Sequence, residues 1–461
     1  MFAQETYVQR RRDLIARLDD GIVLLPGNGE SPMNYADNCY PFRQDGTFLY
    51  YVGLSQPDLF AVIDVDAGTT TIFGDELTVD MIVWTGPMPS IAARAERTGV
   101  TETRPRAAIR EVVEQARSGG RTVHFLPPYR ADTLNLLRDL MGSDGPVPER
   151  ASLPLIQAVV AQRSHKSEEE ITEIEKAVAT TVRMHEAAMR MTSPGVTESQ
   201  IAAEVEHVAN ASGGRLAFPI IATINGQTLH NHWHVNTLPD GRLFLLDSGA
   251  EAELGYAADL TSTFPVSRRG FDERQRSVWQ ILLRAYDAAV SALAPGVNFR
   301  DVHFTAARVI FEGMKDLGLM KGDTDTALAA GAHALVIPHG LGHMMGLDVH
   351  DMESLGEDHV GYAGVARSSQ FGLKALRLAR PLEPGFVLTV EPGIYFIPQL
   401  IDDWRSRRHC ADFLEFDELG RWKDFGGVRN EEDYLVTATG ARRLGPRKPQ
   451  TEAEIAAVRA G

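Results

Sequence analysis

The stretch LFLLDSGAEAELGYAADLTSTFPV, residues 243–266, carries two acidic residues inside apolar runs that are typical of buried strands. Asp247 follows four consecutive apolar residues, and Asp259 lies between two alanines and the run LTSTFPV. The interior of a strand normally excludes carboxylates, because burying one without a compensating charge is costly. A single acid of this kind often marks only a strand end that faces water. Two such acids in one stretch suggest a second explanation, a bound cation that both carboxylates contact.

Two further acids interrupt strand-like runs later in the chain. Glu391 lies in FVLTVEPGIYF, residues 386–396, and Glu431 precedes the apolar run DYLV, residues 433–436. Each acid by itself is better explained as a strand end. Four in one half of the chain instead favour a cation that neutralises them together.

Histidines cluster in two short segments of the same half. IPHGLGHMMGLDVHD, residues 337–351, contains His339, His343 and His350, and LHNHWHVN, residues 229–236, contains His230, His232 and His234. His339 and His343 have the spacing of a zincin helix, but Gly-Leu-Gly between them lacks the glutamate base, which excludes that class. A lone histidine is more often a core residue, whereas three among glycines favour ligand binding. On a strand, the alternating trio would share one face.

The residue types indicate which metal ions the site would accept. Four carboxylates and one imidazole suit hard or borderline ions such as manganese, cobalt, iron or zinc, and the lack of thiolates argues against structural zinc. The set is too large for one tetrahedral ion. It suits two ions about 3.5–4 Å apart that share carboxylates, activate a water and polarise a scissile carbonyl.

The first part of the chain alternates strand-like and helical segments. The runs GIVLLP, FLYYVGL, LFAVIDVD, TTTIFG, MIVWTG and TVHFLPP are predicted as strands, and residues 5–18 and AIREVVEQAR as helices. This alternation predicts an α/β domain with a central sheet. Ser167 and Glu170 form a capping-box pattern that begins a long helix. We therefore place the boundary between two domains, 1–160 and 161–461, near residue 160.

Composition excludes several classes of protein. The chain has 461 residues, of which 44% are apolar and 23% charged, as in globular proteins. Its formal net charge of −16 repels phosphate backbones, so we expect no nucleic-acid partner. No window approaches about 18 uncharged apolar residues, and the charged N-terminus lacks the apolar core of a signal peptide, so we expect no membrane association. With only two cysteines, Cys39 and Cys410, a reducing cytoplasmic location is predicted.

These motifs, in this order, resemble the pita-bread metallopeptidase family. The matching segments are LLDSGAE, GYAADLTSTFPV, HGLGHMMGLDVHD, LTVEPGIYF and GVRNEED, and together they cover most of residues 220–440. Residues 40–64, YPFRQDGTFLYYVGLSQPDLFAVID, resemble the creatinase-type N-terminal domain of the proline-specific branch, which includes prolidase and aminopeptidase P. The resemblance implies an α/β creatinase-like N-terminal domain, an α+β pita-bread catalytic domain and hydrolysis of Xaa-Pro bonds.

The resemblance also implies roles for individual residues. The metal ligands would be Asp247, Asp259, His343, Glu391 and Glu431, with Asp259 and Glu431 bridging two ions, most suitably manganese. Glu391 would act as the general base, and His350 and His339 would contact the substrate carbonyl or the transition state. His230 would lie beside the substrate, while Arg429 and Tyr395 would orient a metal ligand or the substrate.

The chain departs from the family pattern at one spacing. The interval between the first two aspartates, 259 − 247 = 12 positions, is one position longer than is usual in the family. An extra residue at a hairpin tip or in a bulge would preserve both strands. We therefore expect the site to be intact.

Two features favour prolidase, an Xaa-Pro dipeptidase. The interval from Glu391 to Glu431, 431 − 391 = 40 positions, resembles the long insertion of prolidases, and GLKALRLARPLEPG resembles their carboxylate-binding segment, with Arg377 as the matching residue. A surface arginine is the ordinary alternative for Arg377. Aminopeptidase P, acting on longer peptides, remains the alternative activity, and a non-catalytic pita-bread binding protein ranks lower. The resemblance further implies a homodimer.

Overall fold

The computed structural model describes residues 1–142 and 146–460, and these residues divide into two units. The first unit contains the described residues of 1–163 together with 352–359, and the second contains residues 164–351 and 360–460. Within the described residues, no helix combines the length and hydrophobicity that crossing a bilayer requires.

A five-stranded sheet forms the centre of the first unit. Its strands are β1 Ile22–Pro26, β2 Phe60–Asp64, β3 Thr69–Phe73, β4 Glu102–Arg104 and β5 Val123–His124, in the order β4-β3-β2-β1-β5. The helices are α1 Gln4–Ile15, α2 Gly46–Val52, α3 Val79–Thr85, α4 Ile91–Glu96, α5 Ala108–Ser118, α6 Ala131–Met141 and α7 Leu153–Arg163. Apolar side chains of the sheet pack against α5 and α6 in one buried core. The predicted α/β character of this part of the chain is confirmed.

Two runs that the sequence predicts as strands, FLYYVGL and MIVWTG, are helical instead. The carboxylate of Asp45 accepts a hydrogen bond from the Phe48 amide at the beginning of α2, at 2.8 Å. The hydroxyl of Thr78 likewise accepts one from the Met81 amide at the beginning of α3, at 3.2 Å. Aromatic and β-branched residues favour strands, but periodicity cannot assign runs this short. The prediction was wrong because the capping residues outweigh that composition.

Among its described residues, the second unit combines eight α-helices with ten short strands and with short 3-10 helices such as Ala332–Leu335. The helices are α8 Glu168–Met191, α9 Glu198–Ala211, α10 Glu273–Ser291, α11 Phe299–Asp316, α12 Thr324–Ala330, α13 Pro398–Ser406, α14 Phe416–Gly420 and α15 Glu452–Ala460. The strands are β6 Arg215–Leu216, β7 Ile221–Thr223, β8 Leu243–Ser248, β9 Ala250–Glu251, β10 Leu260–Pro265, β11 Val387–Val390, β12 Gly393–Tyr395, β13 Gly427–Arg429, β14 Glu432–Val436 and β15 Ala441–Arg443. They pair as β10-β8-β7, β11-β14-β15, β12-β13 and β6-β9. The predicted capping box of Ser167 and Glu170 begins α8.

The stretch 243–266 is an antiparallel hairpin of constant register. Asp247 pairs with Thr261 across β8 and β10, and the same register continues to the bridge between Glu251 and Ala257. Within this fully described hairpin no residue is bulged. The additional position between the two aspartates therefore lies at the tip, and both strands keep their pairing.

Candidate metal centre

The hairpin brings the two aspartates to one face. Asp247 lies opposite Thr261, and Asp259 precedes Thr261 by two positions, so all three side chains project to the same side of the paired strands. Glu431 joins them because its amide donates a hydrogen bond to the Thr261 carbonyl at 3.1 Å. The Thr261 hydroxyl donates to Glu431 Oε2 at 2.6 Å.

The glycine-rich segment before His343 lies directly on β11. The Thr389 amide donates to the His343 carbonyl at 3.0 Å, and the His343 amide donates to the Thr389 hydroxyl at 3.2 Å. A Cβ atom at Gly342 would lie 2.1 Å from the Thr389 carbonyl oxygen, so only glycine permits this approach. Glu391 follows β11, and its amide donates to the Leu341 carbonyl at 2.8 Å. The glycines thus bring His343 and Glu391 to the same end of the strand.

Three of the predicted ligands converge closely. Asp259, His343 and Glu431 are buried, and each offers one ligand atom such that all three atoms lie within 4.8 Å of one another. His343 Nε2 lies 3.4 Å from Asp259 Oδ2, while His343 Nδ1 is 3.0 Å from the Met344 carbonyl oxygen. We assign the ring proton to Nδ1, which donates to that carbonyl. The lone pair of Nε2 then faces the carboxylates, as a metal ligand requires.

Burial and repulsion between carboxylates raise the pKa values of Asp259, Glu391 and Glu431. Burial, followed by the charge of Glu431, raises the pKa of Asp259 well above its ordinary value. Burial raises the pKa of Glu391 to about 8, and burial together with the charge of Glu391 raises the pKa of Glu431 well above its ordinary value. Asp247 Oδ1 and Asp259 Oδ1 are buried with no hydrogen-bond partner among the described residues. Divalent cations fit this donor set because they supply the opposite charge and the contacts that these oxygens need.

Arg429 joins the acidic cluster to two predicted substrate-site residues. Its Nη2 donates to Asp247 Oδ2 at 2.5 Å, and its Nη1 donates to the Tyr395 hydroxyl at 2.8 Å. The Tyr395 oxygen lies 2.9 Å from His339 Nε2, and His339 Nδ1 lies 2.7 Å from the Gly340 carbonyl oxygen. Both ring nitrogens of His339 therefore have protein partners. A hydrogen bond from either nitrogen to a substrate would have to replace the one to Gly340 or the one to Tyr395.

The cluster lies in a cavity of about 590 Å³. Every site residue predicted from the sequence except Tyr395 lines it: His230, Asp247, Asp259, His339, His343, His350, Arg377, Glu391, Arg429 and Glu431. Tyr395 is buried and contacts the cavity through His339 and Arg429. The cavity also has an apolar side, formed by Phe218, Pro219, Ile221, Leu229, Pro338 and Val349.

The histidine trio does not share one face of a strand. Residues 225–236 form an irregular segment, in which His230 and His232 line the cavity with ring centroids 6.4 Å apart. His234 is directed elsewhere, since its Nε2 lies 3.0 Å from the Ile220 carbonyl oxygen. The condition under which the three rings would share a face, a strand, is not met, because the alternation falls in a turn region without strand pairing.

Two threonines that sequence reasoning missed support the ligands. Thr261 contacts both Glu431 and Arg429, and Thr389 contacts the backbone of His343. The signal for Thr261 was its position two residues after Asp259, on the same strand face. Thr389 similarly precedes Glu391 by two positions.

Comparisons with known proteins agree with this geometry. The family model described as "Metallopeptidase family M24" matches residues 172–438, and the model "Aminopeptidase P, N-terminal domain" matches residues 7–124. The first match covers more than half of the chain.

Both enzyme types of the proline-specific branch occur among the relatives. The Xaa-Pro dipeptidase of Homo sapiens is 32% identical, with 95% of this chain and 89% of that protein aligned. The Xaa-Pro aminopeptidase of Escherichia coli K12 is 30% identical, with 96% of this chain and 94% of that protein aligned. Among solved structures, proline aminopeptidase P II from Yersinia pestis matches with a TM-score of 0.82 and 28% identity over 100% of both chains.

These matches confirm the predicted fold class, an α/β N-terminal part followed by an α+β pita-bread part. They do not separate dipeptidase from aminopeptidase, because relatives of both kinds align over nearly the whole chain at similar identity. The chain belongs to metallopeptidase family M24, in the proline-specific branch whose members carry an aminopeptidase P N-terminal domain.

Proposed function

We propose that this protein hydrolyses the bond preceding proline in Xaa-Pro peptides, with two divalent metal ions held by the five predicted ligands. The observation that carries the proposal is the convergence of Asp259, His343 and Glu431 within 4.8 Å in a cavity that Asp247 and Glu391 also line. Bound ions would supply electrophilic activation of the scissile carbonyl and of the attacking water. The binding of peptide substrate is proposed from the names of the relatives.

The protein's own residues would divide the remaining work. Glu391 accepts the proton of the attacking water, a role suited to a carboxylate whose pKa burial raises to about 8. A bound divalent cation would lower that pKa again. His350 contacts the substrate carbonyl, and His230 lies beside the substrate. His339 acts with Tyr395, to which it is hydrogen-bonded, and Arg429 holds Asp247 in place.

We further propose that dipeptides are the preferred substrates. Arg377 lines the same cavity as His230 and the predicted ligands, and its charge is the last of the causes that lower the pKa of His230, after burial, Arg429 and His232. A guanidinium in this cavity suits the C-terminal carboxylate of an Xaa-Pro dipeptide. Aminopeptidase P activity is the second candidate, favoured by the similarity of the whole chain to the Yersinia pestis aminopeptidase structure. A non-catalytic binding protein ranks lower because the full ligand set is present.

An assay of three peptides tests this proposal. The manganese-loaded protein is expected to cleave Ala-Pro, to cleave Ala-Pro-Ala more slowly, and to leave Ala-Ala intact. Faster cleavage of the tripeptide would select aminopeptidase P instead. Absence of cleavage of either proline peptide, in a protein shown to contain metal, would contradict the catalytic proposal.

Several properties extend the proposal. We propose manganese as the native metal, since the donor set is rich in carboxylate oxygens. A homodimer is supported by α3, none of whose residues is buried although Trp84, Val79 and Val83 are apolar. A cytoplasmic location is supported by the two free cysteines, and we expect no nucleic-acid or membrane partner. The division of the structure between Arg163 and Ser164 supports a domain boundary near residue 160.

A further inference from the structure

A buried ion pair lies next to one of the predicted catalytic histidines. Lys166 Nζ donates to Asp351 Oδ2 at 2.8 Å, and each side chain is only 1% exposed. Asp351 directly follows His350 in the chain. Opposite charges in such an environment interact strongly, so removal of either partner takes a compensating charge away from the other, which stays buried.

The backbone around Asp351 folds back onto the metal-ligand segment. The Asp351 amide donates to the Met344 carbonyl at 2.9 Å, and the Gly346 amide donates to the Asp348 carbonyl at 3.1 Å. The connection from residue 344 to residue 351 is thereby closed into a compact loop. As a result the rings of His343 and His350 meet edge to face, with centroids 4.3 Å apart.

The ion pair packs directly against the backbone of this loop. A Cβ atom at Gly346 would lie 2.7 Å from Asp351 Oδ2 and 2.9 Å from Lys166 Cε. The Gly346 carbonyl accepts a hydrogen bond from the Ala257 amide at 2.9 Å, which joins the loop to the hairpin that carries Asp259. The pair is therefore fixed against the loop on one side, while the loop is fixed against the metal-binding hairpin on the other.

We propose that Lys166 and Asp351 are positioning residues that set the orientation of His350 relative to His343. The inference rests on the proposed function, because it assigns a purpose to the placement of His350 in that reaction. Lys166 holds the Asp351 carboxylate over Gly346, and this fixes the backbone from which the preceding histidine projects. Neither residue lines the cavity, so neither touches the substrate.

The expected signature is a loss of kcat without a loss of metal. Lys166→Met should lower kcat about 10- to 100-fold on Ala-Pro, since a displacement of about 1 Å at a catalytic group costs that much. The metal content and KM should stay within about twofold, because His343 is held separately by Thr389. Lys176→Met is the matched control. Lys176 forms an ion pair with Glu173 but is 63% exposed, so this substitution should leave kcat unchanged.

Loss of one buried charge partner also destabilises the fold, so a second variant is needed. Lys166→Met combined with Asp351→Asn removes both charges of this pair together, so neither stays buried without the other. We expect the thermal midpoint of this double variant to recover toward wild type while kcat stays low. Recovery of both the midpoint and kcat would overturn the positioning role.

A cycle with His350→Ala distinguishes positioning of this histidine from a general structural role. If the ion pair acts through His350, Lys166→Met should lower kcat less than about twofold further in the His350→Ala background. If the wild-type protein is active and the kcat losses of Lys166→Met and His350→Ala multiply in the combined variant, the positioning role is overturned while the proposed function stands. A wild-type protein that contains metal and cleaves no Xaa-Pro peptide would overturn the proposed function and this inference with it.

Discussion

Arg429 and Asp247 form a buried hydrogen-bonded ion pair, with Nη2 and Oδ2 2.5 Å apart. The arginine is 2% exposed, and its remaining donors contact Thr261 and Tyr395. One guanidinium thereby fixes a predicted ligand, the strand beside it and a tyrosine of the substrate site. Replacing it should affect all three.

Arg429→Met is expected to weaken metal binding and lower kcat about 10- to 100-fold, the usual cost of removing a partner of a metal ligand. Metal content after dialysis and kcat on Ala-Pro measure the two effects. Arg429→Lys keeps the charge but not the planar fork, so it should recover part of the metal affinity and little of kcat. Unchanged metal affinity in the methionine variant would show that Asp247 does not depend on Arg429.

Asp259→Asn should abolish activity yet stabilise the metal-free protein. Burial and the neighbouring Glu431 raise the pKa of Asp259, so ionising this carboxyl in the folded chain is unfavourable without a cation. Thermal unfolding in EDTA should therefore give a higher midpoint for the variant than for wild type. Adding manganese should raise the thermal midpoint of the wild type more than that of the variant, because metal binding stabilises the folded state.

Asp412→Asn, which alters an exposed carboxylate, is the control for that experiment. It should change neither the midpoint in EDTA nor the response to manganese. A variant at Asp259 that retains both metal response and kcat would remove this residue from the ligand set.

His303 and His333 should make the fold sensitive to acid. Burial lowers the pKa of His303 to about 3 and that of His333 to about 4, and both nitrogens of His333 lack hydrogen-bond partners among the described residues. The unfolded chain binds these protons near pH 6.5 and the folded chain does not, so stability is present above that pH and falls below it. As the pH falls from the unfolded to the folded pKa of each histidine, the free energy of unfolding should decrease by about 1.4 kcal/mol per pH unit.

His333→Leu is expected to remove one of these contributions. Urea unfolding of the metal-free protein at pH 7 and pH 5 should show a smaller loss of unfolding free energy for the variant than for wild type. His185 is a less suitable position for this test than His333. Its ring nitrogens lie near Ser262 Oγ and the Ser248 carbonyl oxygen, so its replacement would also remove those hydrogen bonds. Equal pH sensitivity of wild type and His333→Leu would contradict the assignment of a neutral buried imidazole.

Arg377→Met should separate dipeptides from longer peptides. If the guanidinium binds the carboxylate of Ala-Pro, kcat/KM on that dipeptide should fall at least about tenfold, while Ala-Pro-Ala, whose proline carboxyl is in amide linkage, should be much less affected. Lys374→Met, three positions earlier and outside the cavity lining, is the matched control. Equal losses on both peptides would remove the argument for a dipeptidase.

The candidate metal site was largely visible in the sequence because its residues violate the usual rules for strands. Asp247 and Asp259 stand where apolar residues belong, and His343 lies among glycines that permit close backbone contact. A residue that breaks the pattern of its neighbours can be recognised from a short stretch of sequence. The order of the motifs then supplied the resemblance that joins the five predicted ligands.

Two kinds of feature were not predicted: helices that begin at a capping residue outside the apolar run, and contacts between residues far apart in the chain. The strand composition of residues 48–54 and 81–86 concealed two helices, whose capping residues lie outside the apolar runs. The Lys166–Asp351 pair joins residues 185 positions apart, and Thr389 supports His343 from 46 positions away. None of these residues breaks a local rule, so the sequence does not show which distant residue each of them contacts.

The most direct test is a manganese titration of the metal-free protein while hydrolysis of Ala-Pro is followed, with Ala-Ala as the control peptide. We expect no turnover of Ala-Pro before manganese is added, a maximal rate near two equivalents of manganese per chain, and no cleavage of Ala-Ala. Full turnover of Ala-Pro by protein shown to be metal-free would contradict this expectation.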